Sequence, residues 1–134
     1  MLKPEVKNVR KNMAKNTNPD FLNGVPELVV LGLLARRPMY GYELVRAIEQ
    51  STGQVLEFGE GCIYPVLHRL EKDEVLTSRR ELVGGRNRVV YRLTAAGRKR
   101  LAGSTAAWRS IVGAVNQILL AQITEEKNGK PAGA

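Results

Sequence analysis

A chain of 134 residues has room for one domain with a modest hydrophobic core. Hydrophobic residues make up 43% of it and charged residues 25%, which is typical of a soluble globular protein. The longest apolar run, residues 28–35, is too short to span a bilayer, so we expect a cytoplasmic protein with no membrane partner.

The chain also offers little material for catalysis. One cysteine excludes an internal disulfide, and one cysteine with one histidine cannot complete a tetrahedral zinc site. The sequence contains no recognisable Ser/His/Asp arrangement, carboxylate pair or glycine-rich phosphate loop. We therefore expect no cofactor and no enzymatic activity.

The net charge of +8 is concentrated in two segments of the chain. Residues 79–100 hold eight basic residues and only Glu81 as an acid, which gives a net charge of +7. Residues 1–20 carry a net charge of +3, whereas residues 21–76 carry −3. A solvated charged face accounts poorly for such local basicity, which is typical of a surface that binds nucleic acid.

Three helices are predicted before the basic segment. Residues 1–19 lack sustained periodicity and are predicted to form a flexible basic arm. Proline positions place a first helix at about residues 26–37, and a second is expected over residues 41–51. The third begins near residues 59–61 and continues to about residue 73. Its predicted apolar stripe consists of Ile63, Val66, Leu67 and Leu70.

A β-hairpin and a long helix follow. Two β-prone runs flank a predicted turn at residues 84–87. Thr94 is a suitable N-cap for a final helix that continues to about Thr124. The chain thus divides into an arm (1–19), a globular domain (20–93), a long helix (94–124) and a disordered tail (125–134).

Helix, helix, helix, hairpin and long helix is the order of a winged helix-turn-helix, so the predicted fold class is mainly α with a small β-hairpin. The third helix is apolar behind and polar or small in front, which suits insertion into a major groove about 12 Å wide. A basic hairpin beside it suits contacts with phosphates. The predicted DNA-binding residues are Tyr40, Gly61, Tyr64, His68, Lys72, Arg79, Arg86 and Arg88.

Several segments in a fixed order resemble the PadR-like regulator family. They are residues 31–35 (LGLLA), 40–44 (YGYEL), 61–71 (GCIYPVLHRLE), 84–86 (GGR) and 91–97 (YRLTAAG). The resemblance covers about residues 26–122 and implies a repressor that dimerises through its C-terminal helix and binds inverted-repeat operators in double-stranded DNA. Many members of the family release DNA when a small molecule binds. The single final helix is similar to that of the compact branch of the family.

The homodimer interface is expected on one side of the final helix. Its predicted residues repeat at alternating spacings of three and four, apart from one longer step: Leu101, Trp108, Ile111, Val115 and Ile118. Trp108 is interpreted either as an anchor of this interface or as a wall for a small aromatic effector.

Two further residues and the function itself have alternative interpretations. Tyr64 either contacts DNA or packs its hydroxyl on the neighbouring helix. Cys62 either has a reactive thiol with a lowered pKa near a helix N-terminus or is a small residue at a position where the family often has Thr. A winged helix that pairs with a protein partner, or binds nucleic acid without specificity, is the alternative to a transcriptional regulator.

Overall fold

The computed structural model describes residues 24–127. These residues form four helices and three strands: α1 (Val25–Arg36), β1 (Met39–Tyr40), α2 (Gly41–Ser51), α3 (Glu60–Lys72), β2 (Leu76–Val83), β3 (Arg86–Leu93) and α4 (Ala95–Lys127). The predicted basic arm, residues 1–19, lies outside the described residues, as do residues 128–134 of the predicted tail.

The first three helices enclose one core. Each turns its apolar side inward, because the burial of aliphatic side chains is the main favourable term in folding. The predicted stripe on α3 is confirmed, since all four of its residues are buried. The largest fully buried side chains are Leu31, Leu44, Ile48, Ile63, Leu67, Leu70, Leu76 and Val30. With this side of α3 committed to the core, its opposite side faces outward.

The sheet has one strand more than the sequence predicted. Strands β2 and β3 form the expected antiparallel hairpin, and β1 pairs with the other edge of β3 to give the order β1-β3-β2. Met39 lies opposite Tyr91, and Tyr40 opposite Val90. A strand of two residues between a proline and a helix has no alternating pattern of its own. It exists because β3, far along the chain, supplies its hydrogen-bonding partners.

The hairpin turn is shorter than predicted. Gly84 and Gly85 have φ angles of 58° and 80°, and they close the turn by themselves. Two successive positive φ angles match the right-handed twist of the flanking strands and favour glycine at both positions. Arg86 and Asn87, which were predicted to belong to the turn, are therefore the first residues of β3.

The start of α4 is fastened to the turn that follows α3. The predicted N-cap is confirmed, because the Gly97 N–H donates to Thr94 Oγ1 over 3.0 Å. The same hydroxyl donates to the Glu74 carbonyl over 2.8 Å. Leu101, which was predicted to lie at a dimer interface, is half-buried against the core of its own domain.

Helix α4 continues to Lys127, three residues beyond its predicted end. Glu125, Glu126 and Lys127 are therefore helical and do not belong to a disordered tail. Glu and Lys are good helix formers, and the first helix-breaking residue after them is Gly129. The chain divides after Leu101 into two compact units. Among residues 24–127, no helix combines the length and the hydropathy needed to cross a membrane.

Candidate nucleic-acid interface

The outward side of α3 begins with small residues and continues with polar ones. Gly59 has an extended backbone and precedes the first residue of the helix. Gly61, His68 and Lys72 are exposed. In the part of the chain that the structure describes, no heavy atom beyond the adjacent residues and the nearby backbone of α3 lies within 4 Å of a Cβ built on Gly61. Gly61 therefore leaves room for close approach by another molecule, and a helix N-terminus favours an anionic one, although the exposed carboxylate of Glu60 in the same turn opposes it.

Tyr64 lies between this outward side and α2. The side chain is half-buried, and its ring end packs on Gly41, where a Cβ would come within 2.5 Å of Tyr64 Cζ and Oη. The ring centroid of His68 is 6.3 Å from that of Tyr64. The structure thus contains the helix packing that was weighed against a DNA contact, and the remaining exposed part of the ring borders His68.

The wing, formed by β2 and β3, has two different faces. Residues opposite each other in paired strands share a face, and successive residues alternate. One face is fixed toward the core, because the Ser78 hydroxyl donates to Glu71 Oε2 of α3 over 2.7 Å and Tyr91 opposite Ser78 is buried. The register places four arginines and one acid on the other face, which we call the arginine face: Arg79, Glu81, Arg86, Arg88 and Arg92.

Arg88 is held in place by Tyr40. Its guanidinium carbon lies 4.3 Å from the centroid of the Tyr40 ring, a distance at which a cation is attracted to the aromatic face. Arg88 Nε is shielded from solvent and, among the described residues, has no hydrogen-bond partner. This contact orients the arginine relative to the start of α2, because the Tyr40 N–H also donates to Glu43 Oε1 over 3.3 Å.

Glu81 pairs with two of the other arginines on the arginine face. Its Oε2 atom is 2.5 Å from Arg92 Nη1 and 3.7 Å from Arg79 Nη2. Contact with Arg92, together with the charge of Arg79, lowers the pKa of the Glu81 carboxyl, so Glu81 is ionised at neutral pH. Arg86, at the tip of the wing, is exposed.

A groove of about 300 Å³ runs between the wing and the helices α2 and α3. It is lined by Tyr40, Gly41, Tyr42, Tyr64, His68, Asn87, Arg88, Val89 and Tyr91. Four predicted DNA-binding residues, Tyr40, Tyr64, His68 and Arg88, therefore meet in one place. The other four do not line it: Gly61, Lys72, Arg79 and Arg86 lie on the exposed surface.

Tyr42, whose hydroxyl the sequence left open either as a donor to phosphate or as part of the helix packing, lines the groove, and so does Asn87, which was not among the predicted site residues. Tyr42 is exposed, and Arg46 Nη1 donates to its hydroxyl over 3.4 Å. The four-residue spacing of Tyr42 and Arg46 on a helix is the signal that could have identified this pair. Asn87 carried no comparable signal, because its place depends on where the hairpin turn ends.

Two side chains near the interface, those of Arg69 and Cys62, contact other parts of the same domain. Arg69 pairs with Glu27 of α1 at 3.3 Å, although the two residues lie far apart in the chain. Cys62 is half-buried, and burial raises the pKa of its thiol despite the opposing charge of Arg69. Of the two interpretations of Cys62, burial supports the small packed residue, because the loss of solvation outweighs the nearby positive charge.

Comparison with known proteins assigns this fold to a family. The model of the transcriptional regulator PadR-like family matches residues 30–103, which is more than half of the chain. The chain belongs to this family. The transcriptional regulator Rv3488 of Mycobacterium tuberculosis is 37% identical over 82 residues, which cover 61% of this chain and 74% of that protein.

Solved PadR-like structures have the same arrangement of elements. A PadR-like transcriptional regulator from Bacillus cereus gives a TM-score of 0.66 at 28% identity, covering 75% of this chain and 96% of the other. Bacillus subtilis PadR, solved in complex with operator DNA, gives a TM-score of 0.55 at 27% identity, covering 60% of this chain and 46% of that one. The predicted fold, a winged helix with a long C-terminal helix, is confirmed.

The long helix of this PadR-like chain has an exposed apolar stripe that begins at Trp108. Trp108 is 36% exposed, Ile111 53%, Val115 47% and Ile118 72%. These are four of the five residues predicted for the dimer interface. A solvent-exposed row of large apolar side chains is costly in an isolated chain and is typical of a surface that another protein covers.

Proposed function

We propose that the chain is a sequence-specific DNA-binding repressor that acts as a homodimer on an inverted-repeat operator. The observation that carries this proposal is the groove in which Tyr64 and His68 of α3 meet Arg88 of the wing. Helix α3 suits contacts with base edges and the wing suits contacts with phosphates, so a single duplex can engage both elements. Membership of a family of transcriptional regulators supports the same conclusion.

In this proposal α3 is the recognition helix. Its first turns, with Gly61 exposed, enter the major groove and bring His68 and Tyr64 toward base edges. Lys72 follows one turn later and binds a phosphate. The similarity to Bacillus subtilis PadR, which was solved with operator DNA, supports this placement.

The wing contributes contacts that do not depend on sequence. Arg86 is exposed at its tip, and Arg88 is oriented by the Tyr40 ring. Guanidinium groups bind phosphate oxygens through paired N–H donors, so we expect both arginines to hold the DNA backbone and fix the register of α3.

The homodimer rests on the apolar stripe of α4. Pairing of two such helices covers Ile111, Val115 and Ile118 and brings two recognition helices into one molecule. An inverted repeat is the DNA sequence that matches a protein with two-fold symmetry.

Release by an effector is the last part of the proposal. A flat aromatic molecule that binds beside Trp108 changes how the two helices cross and therefore the spacing of the recognition helices. Tenfold relief of repression requires about 1.4 kcal/mol of preference for the arrangement that does not bind DNA. We expect quenching of Trp108 fluorescence and loss of operator affinity over the same concentration range. Quenching with unchanged DNA affinity would show that the site is not a switch.

A binding titration tests the core of the proposal. The full chain is titrated against the DNA upstream of its own gene and against a random duplex of equal length, at one fixed salt concentration. We expect affinity for the upstream DNA at least about 10³-fold higher than for random DNA. Equal affinity for both duplexes, or no binding, would instead favour a winged helix that pairs with a protein.

A further inference from the structure

Glu81 stands out on the arginine face of the wing. It is the one acid among the eight wing residues that share this face in the described register. Its side chain is partly buried, and one carboxylate oxygen contacts both Arg92 and Arg79. The two cations that could otherwise bind a phosphate are therefore already paired with an anion of the same chain.

The choice of partners shows that this is a specific cluster. The cross-strand neighbour of Glu81 is Arg88, yet the Arg88 guanidinium lies over the Tyr40 ring. Glu81 instead pairs with Arg92 on the neighbouring strand and with Arg79 two positions earlier on its own strand. The arginine face thus contains two kinds of arginine: Arg86 and Arg88 have no carboxylate partner among the described residues, whereas Arg79 and Arg92 share one carboxylate.

Carboxylate and phosphate compete for the same donors. Both accept the N–H groups of a guanidinium, and an arginine that is already paired with a carboxylate gains less when it approaches a phosphate than an unpaired arginine does. A phosphate that approaches Arg92 competes with Glu81, which contacts Arg92 at 2.5 Å, and the charge of Glu81 also weakens the attraction of the more exposed Arg79 for a phosphate. The carboxylate therefore occupies the position of a backbone phosphate in the free protein.

We propose that Glu81 is a positioning residue that acts as an internal substitute for phosphate and limits how many phosphates the wing can bind. The proposal rests on the proposed DNA-binding function. Because phosphate contacts do not depend on base sequence, Glu81 lowers affinity for operator and random DNA alike and leaves the discrimination between them unchanged.

The test compares Glu81→Gln with the wild-type chain. Glutamine keeps the shape of the side chain and removes its charge. Each additional phosphate contact steepens the dependence of log affinity on log salt by about 0.9. We expect the slope to steepen by about one to two such steps, and both duplexes to bind about tenfold more tightly near 0.1 M salt.

Two further variants make the result specific. Glu74→Gln makes the same change in net charge at an exposed position in the turn after α3, and we expect it to change neither slope nor affinity. Arg79→Gln should cost little in the wild-type chain, where Glu81 holds Arg79. In the Glu81→Gln chain it should abolish at least half of the gain in slope, because the released guanidinium is lost.

Three outcomes would overturn the proposal while wild-type binding remains intact. One is unchanged or weaker binding by Glu81→Gln, and another is an equal gain from Glu74→Gln. The third is a gain confined to the operator. Glu81→Thr, which suits a strand, provides a second neutral side chain if glutamine lowers the urea midpoint. Failure of the wild-type chain itself to bind DNA would instead contradict the proposed function.

Discussion

Gly97, near the start of the long helix, packs closely on the turn that follows α3. A Cβ built there would overlap the backbone carbonyl oxygen of Val75 and lie 3.0 Å from Leu93 Cδ2. A carbonyl in a tight turn cannot rotate away as a flexible side chain can. The sequence suggested only a good helix start at Thr94, because a contact between residues so far apart in the chain leaves no local pattern.

Replacing this glycine should therefore destabilise the fold. We expect Gly97→Ala to lower the free energy of unfolding by about 1–3 kcal/mol, which is typical when extra volume is forced into a packed site. Urea denaturation measures the change. Gly103→Ala is the matched control in the same helix, since a Cβ there meets nothing within 4 Å. It should be neutral or stabilise by about 0.5–1 kcal/mol. Equal effects of the two variants would contradict this account.

Cys62 should behave as a packed residue and not as a sensor. Burial raises the pKa of its thiol, so at any given pH the thiolate fraction is smaller in the folded chain than in the unfolded one. The rate of alkylation measured against pH separates this effect from simple blocking, because its midpoint depends on the pKa alone. We expect a higher midpoint in the folded protein than in the urea-unfolded chain. A midpoint at or below the unfolded one would restore the sensor hypothesis.

At the scale of the elements, the sequence predicted those features that depend on the periodicity of neighbouring residues, namely helix bounds and buried helix sides. The bounds of α2 agree with the prediction, and the stripe on α3 is buried, because helical periodicity records which side faces a core. Strand β1 was missed because it forms only by pairing with β3. The contact of Arg69 with Glu27 escaped prediction for the same reason, since it joins two elements, and packing of Tyr64 on the neighbouring helix was available from the sequence only as one of two alternatives.

The wing and the recognition helix should contribute differently to DNA binding, and the structure indicates the cleanest variant for each. Arg86 is exposed at the wing tip, so Arg86→Ala should weaken binding to operator and random DNA equally and make the salt slope shallower by about one. His68 is exposed, whereas Tyr64 also packs on Gly41. His68→Ala should therefore reduce discrimination by about 1–3 kcal/mol without disturbing the fold.

Binding titrations of both duplexes at several salt concentrations check this pair of variants. Arg98→Ala is the matched control, an exposed arginine on α4 whose removal should leave both slope and discrimination unchanged. A loss of discrimination in Arg86→Ala, or an equal loss of affinity for both duplexes in His68→Ala, would contradict the assignment of phosphate contacts to the wing and base contacts to α3.

At the scale of the whole molecule, the exposed stripe of α4 predicts association of two chains. We expect the double variant Ile111→Glu, Val115→Glu to be monomeric in sedimentation and to lose operator binding, because two charges would be buried without partners in each half of the interface. Ser110→Glu with Gln117→Glu adds the same charge on the opposite side of the helix and should remain dimeric. A dimeric Ile111→Glu, Val115→Glu protein would exclude this stripe as the interface.

Selection of binding sites from a random pool of duplexes tests the central claim most directly, because it requires no knowledge of the operator. The full chain is mixed with the pool, bound DNA is recovered over several rounds, and the enriched sequences are read. A two-fold symmetric dimer with one recognition helix per chain predicts an inverted repeat, with half-site centres one helical turn apart, about 10–10.5 base pairs, or a multiple of that distance. A pool without an enriched motif, or an enriched motif without two-fold symmetry, would contradict it.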